Sequence, residues 1–115
     1  MLQDPLQIED MTGSKTGQRI LRLTGPLILT NMFQFQSLVR ADGSECLIID
    51  FTNVPYVDSA GIGALVGAYV THNKEGRSLA LVGVNERVQT TLKITHVHQF
   101  FRFFGNVTDA ETQVA

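Results

Sequence analysis

The sequence has no tryptophan, one cysteine and three prolines, and only 17% of its residues are charged. Each scarcity excludes something. A lone thiol cannot close an internal disulfide, so a packed core must hold the fold, and Cys46, which opens an apolar run, reads as a small buried hydrophobe. The nine Lys and Arg are scattered and outnumbered by eleven acids, so no basic face is offered to nucleic acid. No apolar run approaches the ~18 residues of a membrane span. The opening "MLQDPLQIED" lacks the basic and apolar regions of a signal peptide. The expectation is a cytoplasmic protein without nucleic-acid or membrane partners.

What is present is a globular composition, 43% hydrophobic over 115 residues. That is enough for one domain, residues 1–115, with a core of its own. Residues 6–10 and 19–24 alternate in polarity around the turn-rich "TGSKTGQ" and read as a hairpin whose first strand is an edge. Gly25-Pro26 breaks the second strand, and residues 30–40 suggest a helix. Ala41–Ser44 is a loop. Cys46-Leu47-Ile48-Ile49-Asp50-Phe51 is a continuous apolar run ending in an acid, the pattern of a strand buried on both faces of a parallel sheet. Residues 78–82 form another strand. Asn85 is a suitable N-cap for a helix over 86–94 with Val88 and Leu92 inward, 101–104 is a final edge strand, and Asp109 caps a short last helix. The fold class is α/β: a single domain with a four- to five-stranded mixed sheet and helices packed on it, in the order β-β-α-β-α-β-α-β-(α). Of the phenylalanines, Phe33, Phe35, Phe100, Phe101, Phe103 and Phe104 are assigned to the core, with exposure the alternative for Phe35, which is out of phase with Met32 and Leu38.

The segment "VPYVDSAGIGALVGAYVTHN" (54–73) is different in kind. It is long enough for a helix, carries one charge, Asp58, and places Gly61, Gly63 and Gly67 inside. With Ile62 at zero and steps of ~100° per residue, the apolar stripe Ile62, Leu65, Val66, Tyr69 and Val70 centres on Ile62 and Tyr69. Ala60, Ala64, Gly67 and Thr71 lie opposite, flanked by Gly63 and Ala68. A solvent face normally carries Lys, Glu or Gln. Each interior glycine costs roughly 1 kcal/mol against alanine. A face of small residues is therefore expected to be exposed and to receive a closely docked partner; the alternative is burial under the domain's first or third helix. Asp58 or Ser59 supplies the helix cap, and a helix N-terminus also accommodates a phosphate.

"IIDFTNVPYVDSAGIGALV" resembles the signature of the anti-sigma factor antagonists, bacterial members of the STAS domain family, and "RLTGPLILTNM" and "LALVGVNERVQTTLKIT" are similar to its flanking sections. The resemblance implies a phospho-regulated binding module. Unphosphorylated, it would sequester an anti-sigma factor, itself a serine kinase, and free a sigma factor; phosphorylation of Ser59 would switch it off, and a phosphatase would reset it. The docking residues implied are Asp58, Ser59, Ala60, Gly61, Gly63, Ala64, Gly67 and Thr71. Pro26 and Ile28 stand where the family often has acids. Competing readings are a scaffold or accessory subunit of another STAS system, stressosome-like or lipid-transport, and a nucleotide or anion sensor at 58–63, which the lack of a basic residue near the turn disfavours. No metal, cofactor or enzymatic activity is expected. His96 and His98 have no evident third ligand, Gly61–Gly63 lacks the rest of a dinucleotide fingerprint, and no Ser-His-Asp order or paired carboxylate occurs.

Overall fold

Every residue from Cys46 to Phe51 is buried, which is what a strand with helices on both sides requires. A computed structural model describes residues 6–114, so the reading of the first five residues lies outside it. The chain runs β1 (Gln7–Thr12), β2 (Gln18–Thr24), α1 (Met32–Ala41), β3 (Cys46–Asn53), α2 (Ser59–Lys74), β4 (Ser78–Val82), α3 (Glu86–Ile94), a 3-10 turn (His98–Phe100), β5 (Arg102–Phe104) and α4 (Val107–Gln113). The five strands lie in sequence order, with β3 central. β1 pairs antiparallel to β2, and all other neighbours are parallel, placing Ile48 between Ile20 and Ala80. Among the described residues the mixed sheet is thus five-stranded.

Alternation along the strands sorts the core into two layers. Leu21, Leu47, Ile49, Phe51 and Leu81 pack with Phe35 and Val39 of α1, Leu65 of α2, and Val88 and Leu92 of α3. Ile20, Cys46, Ile48, Ala80 and Val82 face the other way, under Ala110 of α4 and Val114. Burial there pushes the Cys46 thiol up to about 11, so it is a protonated, inert hydrophobe. The turn between β1 and β2 holds this last helix. The Gln18 side-chain amide donates to the carbonyls of Glu111 (2.8 Å) and Val114 (3.3 Å), and Lys15 Nζ to that of Thr112 (3.2 Å).

Two sequence expectations are corrected here. Phe33 and Phe100, assigned to the core, are 59% and 39% exposed, whereas Phe35 is fully buried with the core set, not exposed as the alternative had it; α1 turns its Phe35 and Val39 toward the sheet, and that phase throws Phe33 outward. At α4 the cap is Asn106, which accepts from the Asp109 amide, rather than Asp109 itself.

A polar cluster that sequence reading missed joins α1 to α2. Asp42, the C-cap of α1, is buried. Its carboxylate accepts from Arg19 (3.1 Å), Arg77 (3.1 Å) and the Ser44 amide (3.1 Å) and hydroxyl (2.9 Å). His72 of α2, also buried, lies with Nε2 3.1 Å from the same carboxylate and Nδ1 2.9 Å from the Ala68 carbonyl. Nothing in periodicity pairs an aspartate written as loop with a histidine thirty positions on.

Candidate functional site

The start of α2 is built by a short zipper. Gly25, at φ 112°, turns the chain out of β2. Leu27 then runs parallel to Val57: the Leu27 amide donates to the Tyr56 carbonyl and the Asp58 amide to the Leu27 carbonyl, both at 3.2 Å. Asp58 is the N-cap. One carboxylate oxygen accepts from the Gly61 amide (2.9 Å), the other from the Leu29 amide (3.0 Å). Both are therefore committed, tying the α2 N-terminus to the segment leading into α1. The sequence left the cap open between Asp58 and Ser59, and it falls to Asp58. Ser59 is exposed in the first helical position, and among the described residues its hydroxyl makes no hydrogen bond.

The faces of α2 differ from the sequence reading. The buried arc is Gly61, Ile62, Ala64, Leu65, Ala68 and His72, roughly 80° around the helix from the expected centre at Ile62 and Tyr69. Val70, assigned to the core, is 52% exposed. Ala64 and Ala68, assigned to the free face, are buried, and Ala60 and Thr71 are half-buried. The physical reason is α1: it lies along the flank where the alanines are, and their short side chains leave room for Val39. So part of the small-residue face is covered by the domain's own first helix, and the remaining exposed arc is Ser59, Gly63, Gly67 and Val70.

The three glycines consequently mean different things. A Cβ on Gly61 would overlap the carbonyl oxygen of Leu27, so that glycine is demanded by the zipper. Gly63 and Gly67 have nothing within 4 Å of where a Cβ would stand. The fold gains nothing from them and loses helix propensity. Gly67→Ala is accordingly expected to raise stability by about 0.8–1 kcal/mol in urea unfolding; a loss would show that the position is packed.

Between α1 and α2 lies a cavity of about 130 Å³, lined on one side by Gln36, Val39 and Arg40 and on the other by Ala64, Gly67 and Thr71. Three of the residues expected on a flat docking surface thus line a groove. Sequence reading also missed that two large apolar side chains at the entry to α1, Leu29 (57% exposed) and Phe33, are exposed. It saw no basic residue near the β3–α2 turn, but Arg87 lies 4.7 Å from the centre of the Tyr56 ring, and Asn85 donates to the carbonyls of Val54 and Pro55. Of the two histidines considered as ligands, His98 lies with Nε2 2.6 Å from Gln89 Oε1 and stacks on Phe103, while His96 is exposed at φ 62°.

Comparison with known proteins gives this arrangement a context. A Staphylococcus aureus anti-sigma-B factor antagonist is 33% identical over 57 residues, half of this chain and 53% of its own length. The chain thus matches about half the length of that relative. A Paenibacillus polymyxa anti-sigma F factor antagonist is 26% identical over 102 residues, 85% of this chain and 87% of its own. In three dimensions, a Thermotoga maritima protein superposes with a TM-score of 0.85 at 21% identity, over 93% of each chain. The Bacillus cell fate determinant SpoIIAA, in its phosphorylated form, superposes with a TM-score of 0.73 at 16% identity, over 96% of this chain and 99% of its own. These structural likenesses establish the fold. The STAS domain model matches residues 11–110, and the chain therefore belongs to the STAS domain family.

Proposed function

We propose that this protein is an anti-sigma factor antagonist, a cytoplasmic binding module with no catalytic activity of its own, residues 1–115 acting as one STAS domain. It sequesters an anti-sigma factor that is also a serine kinase, and phosphorylation of Ser59 ends the complex until a phosphatase resets it. The observation that carries this reading is the division of labour at the start of α2. Asp58 takes the cap with one oxygen and holds the Leu29 amide with the other, and Ser59 is left exposed with, among the described residues, a free hydroxyl. A serine whose hydroxyl is exposed and holds no hydrogen bond can receive a phosphate without giving up a contact of the fold. The names of the two curated relatives support the same reading, as does the absence of charge along the exposed arc from Ser59 to Val70.

The chemistry follows from position. A phosphate on Ser59 brings about −1.5 to −2 charge and three acceptor oxygens. The unpaired amides and positive dipole end of the first turn tolerate it, so the domain stays folded. The partner does not: docking would strip water from a dianion against a surface of glycine and valine, next to Asp58. Ser59→Asp should therefore fold normally and bind the purified anti-sigma factor kinase of the source organism at least ~10-fold more weakly, a loss of about 1.4 kcal/mol. Ser59→Ala should bind and resist release by ATP. With kinase and ATP, mass spectrometry should find one phosphate, on Ser59. An Asp variant that binds like wild type, with phosphate elsewhere or nowhere, would leave the scaffold reading in its place.

A further inference from the structure

We infer that the groove between α1 and α2 seats one bulky apolar side chain of the anti-sigma factor, with a neighbouring carboxylate of that partner meeting Arg40. This rests on the function proposed above and specifies the chemistry of its partner surface.

Single exposed apolar residues are ordinary. What is not ordinary is their alignment with a cavity and an unpaired charge. Phe33, Gln36 and Arg40 stand at i, i+3 and i+7, one face of α1, and Gln36 and Arg40 line the groove directly. Phe33 therefore continues the groove wall toward the start of α2. Leu29 lies at the same end, held beside Ser59 by its amide hydrogen bond to Asp58. The far wall is Ala64, Gly67 and Thr71, and Gly67 opens it to solvent.

Size and charge select the occupant. About 130 Å³ is well below the roughly 300–1,000 Å³ of a metabolite site, and about ten times the ~10–15 Å³ of cavity that one water needs. That fits one aliphatic or aromatic side chain. The lining contains a cation and no carboxylate. Among the described residues Arg40 makes no ion pair, although Arg19, Arg22 and Arg77 each make two. The acids nearest the other end are not available to it: both oxygens of Asp58 are taken by backbone amides. A partner complementary to this strip presents an apolar knob flanked by an acid. Its placement explains why Ser59 is an effective switch position. A phosphate there would sit at the mouth of an apolar seat.

The test titrates the purified anti-sigma factor kinase with wild type, Ser59→Asp, Phe33→Asp, Gly67→Leu and Arg40→Glu, with thermal unfolding of each. Phe33 and Gly67 are exposed, so folding should be retained; Phe33→Ser serves if the charged variant unfolds α1. The expected result is at least ~10-fold weaker binding for Phe33→Asp and Gly67→Leu, the latter by filling the groove mouth. Arg40→Glu should weaken binding too, and flatten its dependence on salt. If wild type binds and Ser59→Asp weakens it while the three groove variants bind like wild type, the groove inference is overturned and the proposed function stands. If wild type itself does not bind, both fall.

Discussion

Asp42→Ala is expected to lose about 3–5 kcal/mol of folding stability, the cost of removing one partner from a buried charge cluster. The aspartate side chain is 1% exposed and answers two guanidinium groups and His72 at once. Its removal strands all three. The lower end of the range is the better expectation, because the Arg19 and Arg77 side chains keep 22% and 12% of their surface in water. In urea unfolding the midpoint should fall with little change in slope. Asp42→Asn, which retains acceptor capacity, should lose less. A loss under ~1 kcal/mol for the alanine variant would mean that the arginines find other partners and that the cluster does not join α1 to α2.

The same cluster sets the acid response. Burial pushes the Asp42 carboxyl up, but hydrogen bonds from the Ser44 amide and hydroxyl, Arg19 and His72 outweigh it and hold the group below the usual carboxylate range. Asp10 is held low as well, chiefly by its hydrogen bond from Arg19. Carboxyls whose folded pKa is depressed contribute stability that is present above the unfolded value, about 3.9, and lost as pH falls through the folded one. Wild type should therefore lose stability below about pH 4, and Asp42→Asn should lose less over the same window.

The second large effect is expected at Gly61. Gly61→Ala should cost about 1–3 kcal/mol, as overpacking against atoms that cannot step aside does. The added methyl meets the Leu27 carbonyl oxygen, the acceptor of the Asp58 amide. The clash thus forces apart the zipper that places the cap. Two residues later, Gly63 stands in open space, and the same substitution there should stabilise. Opposite signs within one helix turn would be hard to produce by propensity alone. A Gly61→Ala variant as stable as wild type would show that the Leu27 segment yields freely.

Most of the architecture was legible because each strand and helix carries its own signal. The unbroken apolar run of 46–51 announced a strand covered on both sides, and Asn85 announced α3. The final β5 is only three residues, and its phenylalanines sufficed to mark it. What failed was the phase of helices between two neighbours. Periodicity assumes that the larger side chains of a helix face the core. In α2 the sheet and α1 both demand contact, and the contact with α1 is made by Ala64 and Ala68 because small residues permit close approach. The true buried arc is therefore poorer in large residues than the arc beside it, and Val70 is left outside. The same logic misplaced Phe33. Tertiary polar contacts such as Asp42 with His72 leave no local trace. At the candidate site the motif located Ser59 and Asp58, but which of them caps is a matter of hydrogen bonds. The groove exists only once two helices are packed.

The fastening of α4 by Gln18 and Lys15 has a consequence for synthesis. These contacts join positions more than ninety residues apart, so a growing chain cannot make them until residues 111–114 have left the ribosome. Until then Ile20, Ile48, Ala80 and Val82, an apolar stripe running across three strands, lack their cover. The nascent domain is thus at its stickiest just before α4 emerges, and the first hairpin, translated before it, must wait for that helix to close it. A nascent chain tethered so that residues up to about 105 lie outside the exit tunnel should display this stripe and recruit chaperones that a chain tethered with Val114 also outside does not.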